Sequence, residues 1–140
     1  MADDCAFCRN IEAGTFDVIA AGERVLVVAD AQPINRGHLL VLPVRHAPDL
    51  VALTAAEVIE MALAAQRADR AIRSTFPSVD GTNLVMSNGD AADQGVLHAH
   101  LHVIPRLEGD GYEFREDVSR YPLPPLTADE RDALRAAVSG

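Results

Sequence analysis

Three histidines at alternate positions, His98, His100 and His102 in the run HAHLHVIPR, are the residues whose type and spacing most directly suggest chemistry. In an extended strand successive side chains point to opposite faces, so the three imidazoles would share one face and Ala99, Leu101 and Val103 the other. On that face neighbouring rings start roughly 6 to 7 Å apart, close enough to converge on a small anionic group or a metal. Leu101, Val103 and Ile104 favour a strand, and Pro105, which cannot donate to a ladder, marks its expected end.

Three readings of these histidines compete. A merely solvated strand face is poorly matched by three histidines in five residues. A catalytic metal held by H-x-H would use a bound water as nucleophile, but acidic company near the triad is lacking. The third reading is a neutral imidazole attacking phosphorus, with neighbouring imidazoles and amides stabilising the phosphate oxygens. An unperturbed pKa of about 6.5 leaves much of a histidine neutral at pH 7, which suits that role. A second group is the C-x2-C pair Cys5 and Cys8, the chain's two cysteines, which in a reducing compartment favours a metal or redox pair over a disulfide.

The elements that must position these residues follow from pattern. Phe16 to Ala20 and Arg24 to Ala29 read as strands joined by a hairpin loop, with Asp30 closing the second. After a turn over 33–37, His38 to Leu42 reads as a buried strand stopped by Pro43, and His46 lies just beyond. Thr54 and Glu57 have capping-box spacing, so a helix is expected there, with Val58, Met61, Ala65, Ala68 and Ile72 forming its apolar stripe. Thr82 to Met86 reads as a strand running into Ser87-Asn88-Gly89, and a loop with Gln94 leads to the histidines. Residues 107–125 carry no regular pattern, and a second capping box at Thr127 and Glu130 predicts a short closing helix.

With 140 residues, 49% of them apolar, the chain is long enough for one domain with a real core. A net charge of −9 argues against binding a nucleic-acid polymer, which clustered Lys and Arg would hold. No apolar run approaches the length of a membrane span, and the opening MADDCAF lacks the basic and apolar regions of a signal peptide. The expected location is the cytoplasm.

Asn88-Gly89, then Gln94, then HAHLHVIPR resembles the signature of the histidine-triad (HIT) family of nucleotide hydrolases and nucleotidyl transferases. CAFCRNIEAG, RVLVVADAQPINRGHLLVLPVRH and SNGDAADQGVLHAHLHVIPR stand in that family's order and spacing, covering roughly residues 5–106. The resemblance implies a single HIT domain over 1–140, with 107–140 as a C-terminal extension. Its fold would be α+β: an antiparallel sheet of about five strands, one long helix and a short C-terminal helix. A homodimer whose sheets join side by side is implied too.

The resemblance also implies roles. His100 would attack the α-phosphate of an AMP-type purine nucleotide to form a nucleotidyl-histidine that water then hydrolyses. His102 would hydrogen-bond the phosphate oxygens and the leaving atom, and His38 would support both. Asn88 and Gln94 would hold the phosphate, Asp30 the ribose, and Phe7, Val28 and Leu40 would line the base pocket. Cys5, Cys8, His46 and His98 match the ligands of a structural Zn²⁺ in bacterial members; two thiolates and two imidazoles suit a closed tetrahedral shell. No organic cofactor is implied.

Two positions depart from the family pattern: Asp93, commonly Gly, and Gly95, commonly Ser or Thr. A lost hydroxyl weakens phosphate binding, and an inward Asp93 would repel phosphate, so an outward Asp93 or an altered leaving group is expected. The expected function is hydrolysis of nucleoside phosphoramidates or dinucleoside polyphosphates. A nucleotidyl transferase or phosphorylase, or a nucleotide-binding regulator without turnover, are the alternatives.

Overall fold

The computed structural model describes residues 4–140, so the reading of the chain's first three residues as carrying no signal lies outside the described residues. Valine and leucine runs form five antiparallel strands: β1 (Val18–Ala21), β2 (Val25–Ala29), β3 (Leu39–Pro43), β4 (Gly81–Val85) and β5 (Leu101–Arg106). Their order across the sheet is β1-β2-β3-β5-β4. The central strand β3 is buried along its whole length, which is why it reads as an unbroken apolar run, LLVLP.

Directly paired residues of antiparallel strands lie on the same face, so the register sorts the sheet into two surfaces. One face carries Val25, Val27, Leu39, Val41 and Val103, packed against the long helix α2 (Ala55–Thr75) through Met61, Ala64, Ala65, Ala68 and Ile72. The other carries the row Val28, Leu40, His102 and Val85, one residue from each of β2, β3, β5 and β4. Val28, Leu40 and Leu42 form a smaller cluster there, with Phe7, Ile11 and Phe16 against it.

The capping box at Thr54 and Glu57 is present and starts α2. The buried stripe, however, runs through Glu57, and the expected stripe residue Val58 is exposed. A carboxylate is tolerated inside because Arg45 grips it bidentately at 2.9 and 2.7 Å. That pair holds the Glu57 carboxyl down at about 2, chiefly through the Arg45 hydrogen bond, against the upward push of burial.

Residues 6–13, unassigned from sequence, form α1 (Ala6–Ala13). Cys5 is its N-cap, accepting the Cys8 amide, and Gly14 closes it in the left-handed conformation with φ 63°. Gly37 is required by space and backbone alike: its φ is 89°, and a Cβ would meet the Phe76 ring at 2.6 Å. The closing helix α3 (Ala128–Ser139) has its capping box and no buried residue. No helix among the described residues is long and apolar enough to cross a membrane.

The histidine strand is shorter than expected. β5 begins at Leu101, so His98 and His100 precede it, and Pro105 lies within it, paired with Thr82. The β3–β5 pairing ends at Val41 and Leu101, and the Ala99 N–H donates instead to the carbonyl of Ala47 at 2.6 Å. This departure places His98 and His100 beside the β3–α2 loop.

Candidate functional site

Two groups of side chains flank His100. The first joins the N-cap and first turn of α1, the loop after β3 and the first histidine of the triad. The ligand-type atoms of Cys5, Cys8, His46 and His98 all lie within 4.8 Å of one another. Nδ1 of His98 is 3.5 Å from Sγ of Cys5 and 3.4 Å from Sγ of Cys8, and Nδ1 of His46 is 3.3 Å from Sγ of Cys8. Nε2 of the fully buried His98 donates to the Pro43 carbonyl at 2.8 Å, so its neutral ring keeps the Nδ1 lone pair facing the thiols. Burial and the Cys5 neighbour push the Cys8 thiol up to about 11, so it stays protonated unless a cation draws the proton off. Two sulfurs and two imidazole nitrogens turned toward one point fit a tetrahedral zinc shell.

The second group is Asp30, His38 and His102. The Ile34 amide donates to Nδ1 of His38 at 3.1 Å, so the proton of the neutral ring is on Nε2. That Nε2 lies 2.9 Å from Nδ1 of His102 and 3.3 Å from the Asp30 carboxylate. Nδ1 of His102 therefore accepts, and its own proton is on Nε2. His102 is held neutral, its pKa pushed down to about 4, first by burial and then by its histidine neighbours. Burial lowers His38 as well, against the pull of Asp30.

His100 has the opposite tautomer. Its Nδ1 is 2.7 Å from the His98 carbonyl, which can only accept, so the proton is on Nδ1 and Nε2 carries a free lone pair. The His100 and His102 rings stand 5.0 Å apart, and Phe7 meets the His100 ring edge-on at 5.1 Å. A backbone carbonyl and a relayed backbone amide thus leave one ring with an open lone pair and its neighbour with an N–H.

The remaining expected site residues are placed as follows. Phe7, Val28 and Leu40 share the small cluster on the histidine face. Asp30, at the end of β2, accepts the Gln32 amide on Oδ1 at 2.8 Å. Asn88 is exposed; its Oδ1 accepts the Leu50 amide at 2.9 Å, and its Nδ2 donates to no acceptor among the described residues. Gln94 is buried, its amide hydrogens going to the carbonyls of Pro48 and Val96 and its Oε1 accepting from Gly89. In this arrangement Gln94 braces the loop before the triad. Asp93 is exposed and takes the left-handed conformation with φ 60°, which Asp tolerates better than most residues and Gly best of all. Arg45 was not legible as a site residue, yet it donates to Glu57 and to the carbonyls of His46 and Ala52, tying the His46 loop to α2.

Comparison with known proteins agrees with this architecture. An uncharacterized HIT-like protein of Mycobacterium tuberculosis strain H37Rv is 40% identical over 108 residues, spanning 76% of this chain and 74% of that one. The adenylylsulfatase HINT3 of Arabidopsis thaliana is 32% identical over 88% of this chain and 62% of its own length. A zinc-bound histidine triad family protein of Mycobacterium smegmatis superposes with a TM-score of 0.74 at 36% identity, covering 99% of this chain and 96% of that one. The HIT domain family itself matches residues 14–109, and with relatives of this identity and coverage the chain belongs to the HIT family.

Proposed function

We propose that the protein hydrolyses nucleoside phosphoramidates or dinucleoside polyphosphates at the α-phosphate, through a nucleotidyl intermediate on Nε2 of His100. The observation that carries this reading is the pair of opposite tautomers: a lone pair on His100 beside an N–H on His102. As the N–P bond forms, the bond from phosphorus to the leaving group breaks, and the departing atom takes a hydrogen bond or the proton from Nε2 of His102. Water then bonds phosphorus, the N–P electron pair returns to Nε2 of His100, and the water's proton restores His102. Nδ2 of Asn88 supplies a neutral donor to phosphate, Asp30 keeps acceptor capacity for ribose hydroxyls, and Phe7 with Leu40 offers an apolar seat for the base.

Cys5, Cys8, His46 and His98 hold a structural Zn²⁺ in this reading. The ion would supply cross-linking of α1 to the triad, and its closed shell leaves no position for a reacting water. Sheet order leaves β4 at an edge, with Leu84 exposed, which supports a two-fold dimer through that edge.

Release of AMP from adenosine 5′-phosphoramidate, followed by chromatography, tests the assignment. The wild type is expected to release AMP and His100→Ala to lose at least roughly 10³-fold in kcat, as removal of a covalent nucleophile does. Equal release by both proteins would remove His100 from the role of nucleophile.

A further inference from the structure

The relay from His38 to His102 depends on a turn, and the turn depends on one side chain. The Ile34 amide that sets the His38 proton belongs to residues 33–36, which form no helix or strand. The next residue, Asn35, accepts the His38 backbone N–H on its carbonyl at 3.1 Å. His38 is thus held at its ring and at its backbone by two consecutive residues of the turn. A hydrogen bond weakens steeply with distance and angle, so the tautomer is only as fixed as the turn that supplies its donor.

The amide of Asn35 fixes that turn. Its Nδ2 donates to the Pro105 carbonyl at 2.8 Å and to Oδ2 of Asp110 at 2.9 Å. Among the described residues, no other hydrogen bond ties residues 33–36 to anything but His38. The sheet explains why an acceptor is available there. The Arg106 carbonyl takes the Asp80 amide on the β4 side, so the carbonyl before it, that of Pro105, faces the β3 side. The last β3–β5 pair is Leu39 with Val103, and Pro105 lies two residues beyond it, past the start of β3. A proline is tolerated at that point because no strand is left to receive an N–H, and the Asn35 side chain takes the orphaned carbonyl.

The second acceptor is held just as firmly. The Asp110 side chain is 6% exposed, and Arg106 grips it at 2.7 and 3.0 Å while the Leu107 and Tyr112 amides donate to it as well. A carboxylate removed from water in this way needs such a set of donors, and the set fixes where its oxygens lie. Arg106 also donates to Asn83 on β4 and to the Tyr112 carbonyl, so Asp110 is tied to both strands at this end of the sheet.

We propose that Asn35, with Asp110 as its fixed acceptor, is a positioning residue for the proton donor: it holds the Ile34 amide against His38 and so keeps the His102 proton on Nε2. The inference rests on the reading of His102 as donor to the leaving atom. Both residues act through His38, so their removal should alter the relay before it alters nucleotide binding.

The experiment uses the full, zinc-loaded chain labelled with ¹⁵N. Long-range proton–nitrogen spectra of the imidazoles distinguish protonated from bare ring nitrogens, and the wild type should show His38 and His102 each protonated on Nε2. Asn35→Asp keeps the shape of the side chain and removes both donated hydrogens. It should leave His38 exchanging between tautomers, shift the His102 nitrogens with it, and leave those of His98 in place. In AMP release from adenosine 5′-phosphoramidate, kcat should fall about tenfold with KM within about twofold, as expected for a misplaced reacting group. Asn35→Ala removes the amide without setting a charge beside Asp110, and it carries the same test should Asn35→Asp not fold. Wild-type nitrogen signals for His38 and His102 in the folded variant would overturn the proposal, whatever its turnover. A wild type that holds both tautomers yet releases no AMP would defeat the hydrolase reading alone, and the nitrogen shifts of the variants would still decide the role of Asn35.

Discussion

The molecule holds two clusters of metal-ligating side chains on either side of His100, and they differ in what their protons allow. In Cys5, Cys8, His46 and His98, a buried carbonyl takes the His98 proton on the far nitrogen and leaves a lone pair facing two sulfurs. In Asp30, His38 and His102, a backbone amide occupies the far nitrogen of His38 and forces its proton inward, onto the nitrogen that faces the other two residues. The first cluster turns lone pairs to a common point and suits a soft cation. The second is already bridged by a proton and works as a hydrogen-bond relay. Closeness of donor atoms is the same in both, so the backbone partners of His98 and His38 decide between metal shell and proton chain.

Removing metal should separate the clusters most strongly. Chelation of the zinc-loaded protein, or Cys8→Ser, is expected to lower the melting temperature on the order of 10 °C, because a structural metal's binding energy is folding energy. A melt that does not move while zinc is lost, measured by elemental analysis, would break the comparison. His38→Phe should do the opposite: zinc content is retained, and kcat falls roughly 10- to 100-fold as His102 loses the partner that sets its tautomer. If zinc and turnover fell together, the two clusters would not be separate units.

Arg45→Ala should act on the metal side alone and more mildly. Arg45 is about half exposed while Glu57 is 5% exposed, so the loss is mainly that of a stranded buried carboxylate, about 2 kcal/mol after allowance for solvent. Urea unfolding would read it, and zinc affinity should fall as the His46 loop loosens; unaltered stability would show that Glu57 finds another partner.

The smallest effect is on pH dependence. His38 and His102 are held below the ordinary histidine pKa, so the unfolded chain binds more protons as pH falls from about 6.5, and their contribution is present above that pH. It is lost on the way down to about 4, whereas Glu57, held at about 2, matters only below the usual carboxylate range near 4.5. Between pH 7 and 5, wild type should lose more thermal stability than His102→Gln, with protonation of the zinc ligands common to both. Parallel curves would mean that His102 titrates as it does in the unfolded chain.

Much of the scaffold is legible from local chemistry. Thr54 with Glu57 and Thr127 with Glu130 mark helix starts because a capping box needs only four consecutive residues. The strands of the central sheet follow from their apolar runs, with ends displaced by one or two residues except in β5, which starts three residues beyond His98. α1 escaped because its cap is a cysteine sulfur rather than the usual hydroxyl or carboxylate, and Arg45 because its partner Glu57 is twelve residues away. Residues 107–117 form no helix or strand and so offered no periodic signal, yet one bidentate ion pair anchors them to the end of β5.

By itself the sequence determined which atoms are available: five histidines, two cysteines, and the order that identifies the family. It also determined the pieces that local rules govern, namely caps, apolar strands and glycine turns. Only the tertiary structure decided where the ring protons of His38, His98, His100 and His102 reside, that His98 and His100 leave the strand, and that Gln94 braces its loop. The physical reason is that a ring tautomer is set by its nearest partner in space. For His98 that partner is the carbonyl of Pro43, 55 residues distant, and no spacing within the triad encodes it.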